Sequence, residues 1–548
     1  MIPSAHVDGF VRDHRPPPEQ WPVFLLDRPE FRYPDRLNCV TELLDRWVES
    51  GAGDRPCLIS PAESLSYSEL AQRVNRIAHL LVDRFGLQPG NRVLLRAANN
   101  PMLVAVYLAV MKAGGIAVAT MPLLRARELA FPVEKAQIRL AVCDARLGEE
   151  MEKVRAIAPV LEKILYFGGT GEEDLARLMP TASPHFTACD TASDDVCLIG
   201  FTSGTTGEPK GTIHFHRDML AIADGYSRQV LRPAAEDRFI GSPPLAFTFG
   251  LGGLVVFPLR AGASAVLLEK ATPDDLLAAI DRYGATITFT VPTAYRAMLA
   301  KMGPGALKSL RKCVSAGETL PKPIFEAWQK RTGIRLMDGI GATEMLHIFI
   351  AAREEEIRPG ATGIPVPGYT ARVVDAAGEE VPRGMPGRLA VRGPTGCRYL
   401  DDPRQLSYVQ NGWNMTGDTY IQDEDGYFWF QARSDDMIIS SGYNIAGPEV
   451  EVALLTHPDV VECAVIGVPD PERGMVPKAF VVLAAGRQGD AAMVKSLQEH
   501  VKAEIAPYKY PRAIEFRNEL PKTHSGKLQR FRLREAAATP PATIARAR

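Results

Sequence analysis

The 548-residue chain lacks any close pair of cysteines. Its eight (Cys39, Cys57, Cys143, Cys189, Cys197, Cys313, Cys397 and Cys463) are scattered, with no CxxC spacing. That argues against a zinc ribbon or a dense disulfide framework and suits free thiols in a reducing compartment. An excess of either charge is also missing: 63 Lys and Arg stand against 65 Asp and Glu, a formal net charge of -2. A nucleic-acid partner would call for a basic surplus, so none is expected. Long apolar runs are absent too. The most apolar stretch, 102–119, is broken by Lys112 and Gly114-Gly115, and reads as a buried helix running into a strand rather than a membrane span. The first residues carry His6, Asp8, Arg12 and a proline run at 16–18, which is no secretory signal, so a cytoplasmic protein is expected. There is no tandem repeat, and nothing in the pattern specifies an oligomeric state.

What is present is material for a large core, since 46% of residues are hydrophobic and 23% charged, and the length exceeds one ordinary domain. Residues 67–85 read as an amphipathic helix (apolar at Leu70, Val74, Ile77 and Leu81), followed by the strand-like run 92–96. The same alternation recurs at 274–283 and 286–289. It predicts an α/β protein with layered, largely parallel sheets. Over 363–393 short strands punctuated by Gly and Pro predict a β-rich subdomain. A boundary is expected at Arg433-Ser434-Asp435-Asp436. It divides a large multi-subdomain N-terminal domain, 1–434, from a small α+β C-terminal domain, 435–548, with a helix at 448–455 and strands at 460–468 and 479–483. The tail after Ala536 is expected to fray.

The strongest local signal is Thr202-Ser203-Gly204-Thr205-Thr206-Gly207-Glu208-Pro209-Lys210-Gly211, directly after the apolar run 196–200. Hydroxyls donate hydrogen bonds, glycines let the backbone approach, and a lysine neutralises charge, which together suit a polyphosphate. It is not a Walker A loop, because the glycine spacing differs and Pro209 stands where that motif begins its helix.

This loop resembles the phosphate-binding motif of the adenylate-forming superfamily, which includes acyl- and aryl-CoA ligases, peptide-synthetase adenylation domains and luciferases. Further blocks follow in order. Asp338-Gly339-Ile340-Gly341-Ala342-Thr343-Glu344 resembles the block that holds adenine and magnesium, and Thr416-Gly417-Asp418 the ribose block. Arg433-Ser434-Asp435 resembles the hinge, and Pro521 to Lys527 the catalytic-lysine block. The resemblance spans nearly the whole chain. It implies ATP, CoA and Mg2+ as cofactors, and activation of a carboxylic acid as its adenylate before transfer to CoA.

The resemblance also implies roles. Glu344 would hold magnesium and Thr343 would bond the α-phosphate, while Asp418 and Arg433 would take the ribose hydroxyls. Gly317 and Glu318, in the segment Ser315–Glu318, would line the adenine and acyl site with Asp338, Gly339 and Ile340. Lys527 would bridge the acyl carboxylate and the phosphate during adenylation. The small domain would be mobile, turning about Asp435 and bringing Gly442 to the pantetheine channel for the second step. A separate carrier protein is the alternative acceptor, since no carrier domain is expected after Lys527. A nucleotide-binding regulator that has lost catalysis is the rival from another class. The presence of Lys527, Glu344 and the whole loop opposes it.

The stretch 338–349, with Met345-Leu346-His347-Ile348-Phe349 after Glu344, looks particularly like benzoate–CoA ligases and their aminobenzoate relatives. Phe247 and Phe249 would wall a flat pocket for an aromatic ring, with Gly341 and His347 nearby. At period-two spacing on a strand the two phenylalanines equally fit core packing. Thr248 departs from the benzoate pattern, where a small apolar residue is expected, and its hydroxyl would accept a bond from a ring amino group. That favours 2-aminobenzoate over benzoate. Ile439 replaces a lysine common after the hinge, and Ile340 an aromatic common beside adenine. His214 and His216 are expected on one strand facing the same way, with no third ligand to make a metal site.

Overall fold

The computed structural model describes residues 3–203, 208–303, 305–318, 320, 322–433, 437–521 and 530–538. They belong to two compact units. One comprises Met1–Pro122, Glu128–Thr202 and Pro209–Ser434; the other gathers Leu123–Arg127, Ser203–Glu208 and Asp435–Arg548.

Local sequence explains why the helices start and stop where they do. Ser66 caps helix Tyr67–His79 by accepting the Glu69 N–H, while the Glu69 carboxylate accepts the Ser66 N–H in return. Leu70, Val74 and Ile77 then recur on one face and are buried. Thr272 and Asp275 make the same reciprocal cap for helix Pro273–Tyr283, worth about 1 kcal/mol. That helix ends at Gly284, whose φ of 63° is the left-handed conformation glycine tolerates. The apolar stretch near residue 110 is helix Pro101–Lys112 leading into strand Ile116–Thr120, both buried. Among the described residues no helix is long and apolar enough to cross a membrane.

The first unit holds three sheets. In the largest, strands Leu336–Gly341, Lys312–Ser315, Ile287–Thr290, Arg238–Gly241, Ser264–Val266 and Pro56–Ile59 lie side by side, all parallel. Antiparallel strands Ile348–Ala351, Ile364–Pro365 and Ser64–Ser66 close its edges. A second sheet runs Lys163–Phe167, Leu140–Asp144, Arg92–Arg96, Ile116–Thr120, Val196–Ser203 and Pro209–Phe215. Helices feed these parallel strands, which is the mixed α/β layering the alternating pattern predicts. The third sheet is antiparallel, built from Thr370–Val374, Pro386–Arg392, Trp413–Gln422, Val409–Gln410 and Phe428–Arg433. This β-rich part therefore extends past 393 to Arg433.

The second unit has its own sheet of Tyr443–Ala446, Met437–Ser440, Gly474–Leu483, Val460–Asp470 and Ala513–Phe516. Ile438, Ile445, Leu454, Val465, Val481 and Leu497 form its core. The first hairpin turns on Ser441 and Gly442, at φ 48° and 81°, the double left-handed step that two-residue hairpins need.

Two expectations are corrected. Phe247, Thr248 and Phe249 do not lie on a strand, because Pro243 and Pro244 take the chain out of the sheet after Gly241 and residues Thr248–Leu251 form a helical turn. His214 and His216 do not share one strand. The Asp218 carboxylate accepts the Phe215 N–H at 3.0 Å, so a helix opens at His216 and the two imidazoles part. His214 stands 3.8 Å from Asp218, whereas His216 meets Cys39.

Candidate active site

The parallel strands of the large sheet end on a common edge at Gly241, Thr290, Ser315 and Asp338. Open α/β sheets bind ligands along that edge, because loops and helix N-termini converge there. Gly317, Glu318 and Asp338 to Gly341 lie at or just past the ends of these strands.

Beyond Gly341 the chain makes a tight turn, Thr343–Met345. The Thr395 hydroxyl pins it by donating to the Met345 carbonyl at 2.7 Å. Gly200 lies under the turn so closely that a Cβ there would stand 2.8 Å from the Thr343 methyl. The Glu344 carboxylate is 7% exposed. Its Oε1 accepts the Tyr399 hydroxyl at 2.5 Å and pairs with Lys210 Nζ at 3.4 Å. Burial alone would raise its pKa, but the Lys210 charge and the Tyr399 hydroxyl outweigh that and hold it below the usual range. A charged carboxylate at this corner is a hard oxygen donor of the kind a magnesium ion takes. Lys210 also lies over the rings of Tyr399 and Tyr408, at 4.9 and 5.7 Å.

Backbone lacing explains this corner. Strand Pro209–Phe215 runs beside 398–400, with Ile213 N–H donating to the Arg398 carbonyl and Leu400 N–H to that of Gly211, each at 2.8 Å. Buried Arg398 pairs with buried Asp218 and locks the two segments. Sequence reasoning gave Lys210 and Glu344 separate tasks, and the fold joins them. It missed Tyr399, for which no local motif exists, because its partner lies 55 residues away.

The other nucleotide candidates are placed as follows in the first unit. Thr202, next to last in strand Val196–Ser203, has a buried hydroxyl with no partner among the described residues. Gly317, at φ 85°, turns the chain just past strand Lys312–Ser315. Glu318 accepts the Thr293 N–H and hydroxyl, both at 3.2 Å. Asp338 is in register with Ser315, and burial pushes its pKa up to about 8 against the Gly339 backbone and the Ser315 hydroxyl. A Cβ on Gly339 would meet Ile348 at 2.8 Å, and Ile340 packs on the main core. Asp418 and Arg433 are direct neighbours across adjacent antiparallel strands. Ser203 ends the strand Val196–Ser203, and Gly442 is in the hairpin of the second unit. Gly204, Thr205, Thr206, Gly207, Asp435 and Lys527 lie outside the described residues.

The acid-pocket residues converge too. The His347 ring stands 5.7 Å from Phe249, 5.7 Å from Tyr226, 4.5 Å from Phe257 and 6.4 Å from Phe289. Among the described residues neither of its nitrogens makes a hydrogen bond of normal geometry. Burial lowers its pKa to about 3, opposed only by the Phe249 backbone, so the imidazole is neutral at working pH. Gly252 abuts the same ring, since a Cβ there would be 2.3 Å from Cδ2. Gly341 abuts the His347 carbonyl in the same way, at 2.8 Å. Phe249 and half-buried Thr248 open the helical turn beside this wall. Tyr226, Phe289 and Gly252 were not legible as pocket residues, because nothing in their local sequence separates them from core.

Residues 44–398 match the AMP-binding enzyme family, and residues 449–527 match the AMP-binding enzyme C-terminal domain. The benzoate–CoA ligase of Thauera aromatica is 39% identical over 93% of this chain and 98% of its own length. A 4-hydroxybenzoate–CoA/benzoate–CoA ligase of Rhodopseudomonas palustris is 34% identical over 91% of this chain and 94% of its own. Among solved structures, the anthranilate CoA ligase AuaEII in complex with anthranoyl-AMP superposes with a TM-score of 0.72 at 35% identity, covering 93% of this chain and 99% of that one.

Proposed function

Because the chain belongs to the AMP-binding enzyme family, as an acid–thiol ligase that joins aromatic acids to CoA, we propose that its acid is 2-aminobenzoate, with benzoate next. One observation carries the choice. A neutral imidazole, His347, lies against Phe249 in an apolar wall, and Thr248 precedes Phe249 in the same helical turn. The rings suit a flat aromatic acid, and the two polar groups suit an amino substituent on it. Likeness to a structure holding anthranoyl-AMP supports the same reading.

The reaction has two steps. The acid's carboxylate attacks the α-phosphorus of ATP and pyrophosphate leaves; the CoA thiol then attacks the acyl carbon and AMP leaves. In the first step two anions meet, so fixed positive charge must offset their repulsion. Lys210 supplies it beside the phosphates, and Thr202 and Thr343 offer hydroxyls to phosphate oxygens. Asp338, protonated near neutral pH, faces adenine beside Gly317, Glu318, Gly339 and Ile340. Asp418 accepts the ribose hydroxyls with Arg433 at its side. The Glu344 carboxylate fits magnesium, which when bound neutralises phosphate charge. Lys527 serves adenylation, Asp435 is the hinge between steps and Gly442 lies on the pantetheine route. Free thiols at all eight cysteines fit a cytoplasmic enzyme.

The test is a panel of benzoate, 2-aminobenzoate, salicylate and short aliphatic acids with ATP, magnesium and free CoA, read by mass spectrometry. Acyl-CoA is expected, with 2-aminobenzoate giving the highest kcat/KM. A benzoate kcat/KM well above that of 2-aminobenzoate sinks the choice of acid. Adenylate accumulating without thioester would move the acceptor to a carrier protein.

A further inference from the structure

Cys39, Cys197 and His216 meet in the core of the first unit, outside the residues given to the reaction. Their side-chain donor atoms all lie within 4.8 Å of one another, and all three residues are buried. They come from three separate segments: the loop before residue 41, the strand Val196–Ser203, and the start of the helix at His216. His216 Nδ1 stands 3.2 Å from Cys39 Sγ and accepts the Cys39 backbone N–H at 3.1 Å, and His216 Nε2 is buried without a hydrogen-bond partner among the described residues. His6 stands within electrostatic reach of His216, and its own Nε2 is likewise buried and unpartnered.

We propose that Cys39, Cys197 and His216 form a binding site for a d10 cation, zinc(II) foremost, with His6 as the candidate fourth ligand. Tetrahedral zinc with Zn–S near 2.3 Å and Zn–N near 2.05 Å places sulfur atoms about 3.8 Å apart and sulfur and nitrogen about 3.6 Å apart. The donor atoms lie within 4.8 Å of one another, with one sulfur–nitrogen pair at 3.2 Å, so small shifts bring them to these distances. Thiolates and imidazole select such ions over magnesium or calcium, which demand oxygen. The charge also balances. Binding releases one proton from each thiol, and two thiolates with a divalent cation are neutral overall, which a fully buried site requires.

The N-terminal segment that carries His6 is held by Ser4 and Ala5 on the Asp195 carboxylate, by Val7 and Asp8 N–H on the Pro89 carbonyl, and by the Asp8 carboxylate on Arg92. Cys197 lies on the strand that leads to the phosphate loop, so the ion would tie that strand to the His216 helix and to the loop at Cys39. Sequence gave no sign of it, since no two of these residues share a metal-binding spacing.

The test is metal content of full-length enzyme purified without chelator and then passed through EDTA to strip surface ions. About one zinc, or one copper(I), per chain is expected in the parent. Cys39→Ser and Cys197→Ser are expected to lose it, and Cys57→Ser, a buried thiol elsewhere in the same core, to keep it. If the serine variants fail to fold, cobalt(II) loading of the parent decides. A sulfur-to-cobalt charge-transfer band is expected, and its absence overturns the site. A parent free of zinc and copper overturns it, as does an intact mass short by two hydrogens from a Cys39–Cys197 disulfide.

Discussion

Glu344 and His347 stand three residues apart, both buried, and the fold holds them in opposite electrical states. Glu344 is kept charged because a lysine and a tyrosine hydroxyl reach it. His347 is kept neutral because only rings and a glycine reach it. Burial acts on both, and the neighbours decide the outcome. One short turn thus separates the charged corner of Glu344 and Lys210, proposed for phosphates and a cation, from the apolar wall at His347, proposed for an organic acid. Position along the chain says little about electrostatics here; what packs against each side chain says most of it.

The largest effect that sharpens the contrast is on the charged side. Glu344→Ala removes the carboxylate, leaves Lys210 without its counter-ion and strips the oxygen assigned to magnesium. Pyrophosphate release at saturating acid is expected to fall by about 10²–10³-fold. Glu344→Gln should fall nearly as far, because it keeps shape and loses charge. His347→Leu keeps the apolar wall and should cost about tenfold or less in the same assay. Equal losses at the two positions would break the division. Lys527→Ala is expected to lose adenylation as severely, yet to retain transfer from supplied acyl-adenylate to CoA. Normal pyrophosphate exchange in that variant refutes its assignment.

The neutral side is tested by pH. His347 has a folded pKa of about 3, and an unfolded histidine titrates near 6.5. Between those values the unfolded chain binds a proton that the folded chain refuses, so stability rises with pH across the window. The contribution is intact above about 6.5 and is lost as pH falls toward 3. Glu344, whose pKa is also lowered, refuses a proton in the same sense, and its contribution falls away only below about 4.3. Denaturant unfolding at pH 7 and pH 5 should therefore show the parent losing more stability than His347→Leu, by ~2 kcal/mol. His6 and His214, also lowered by burial, act in the same sense in both proteins and cancel in the difference. Identical pH slopes would mean that His347 is not held neutral by its surroundings.

These contrasts also mark what could be read without a structure. The α/β layering was legible because helix periodicity and β-branched runs alternate, and caps such as Ser66 with Glu69 are local signals. The nucleotide motifs were legible as ordered blocks, and Asp418 and Arg433 stand in register on adjacent antiparallel strands. The pairing of Lys210 with Glu344 and Tyr399 was not, since it depends on strand Pro209–Phe215 lying beside residues 398–400. The acid pocket was half legible. His347 and Phe249 were named and are in contact, but the strand expected for Phe247 and Phe249 is broken by Pro243 and Pro244. His214 and His216 looked like a pair, and a cap from Asp218 sends them to different partners.

The smallest effect tests the choice of acid at Thr248. This residue is the first of its helical turn, and no side-chain bond caps that turn, so Thr248→Ala removes a hydroxyl without removing a cap. A single hydrogen bond to a substrate amino group is worth about 1 kcal/mol, so kcat/KM for 2-aminobenzoate should fall about fivefold. Benzoate, which offers nothing to that hydroxyl, should change by less than about twofold. Thr248→Ser keeps the oxygen and should restore the 2-aminobenzoate value. If both acids lose equally, the hydroxyl shapes the wall and does not read the ring. The preference would then have to come from the unbonded nitrogens of His347, and His347→Leu should abolish it while Thr248→Ala leaves the ratio of the two acids unchanged.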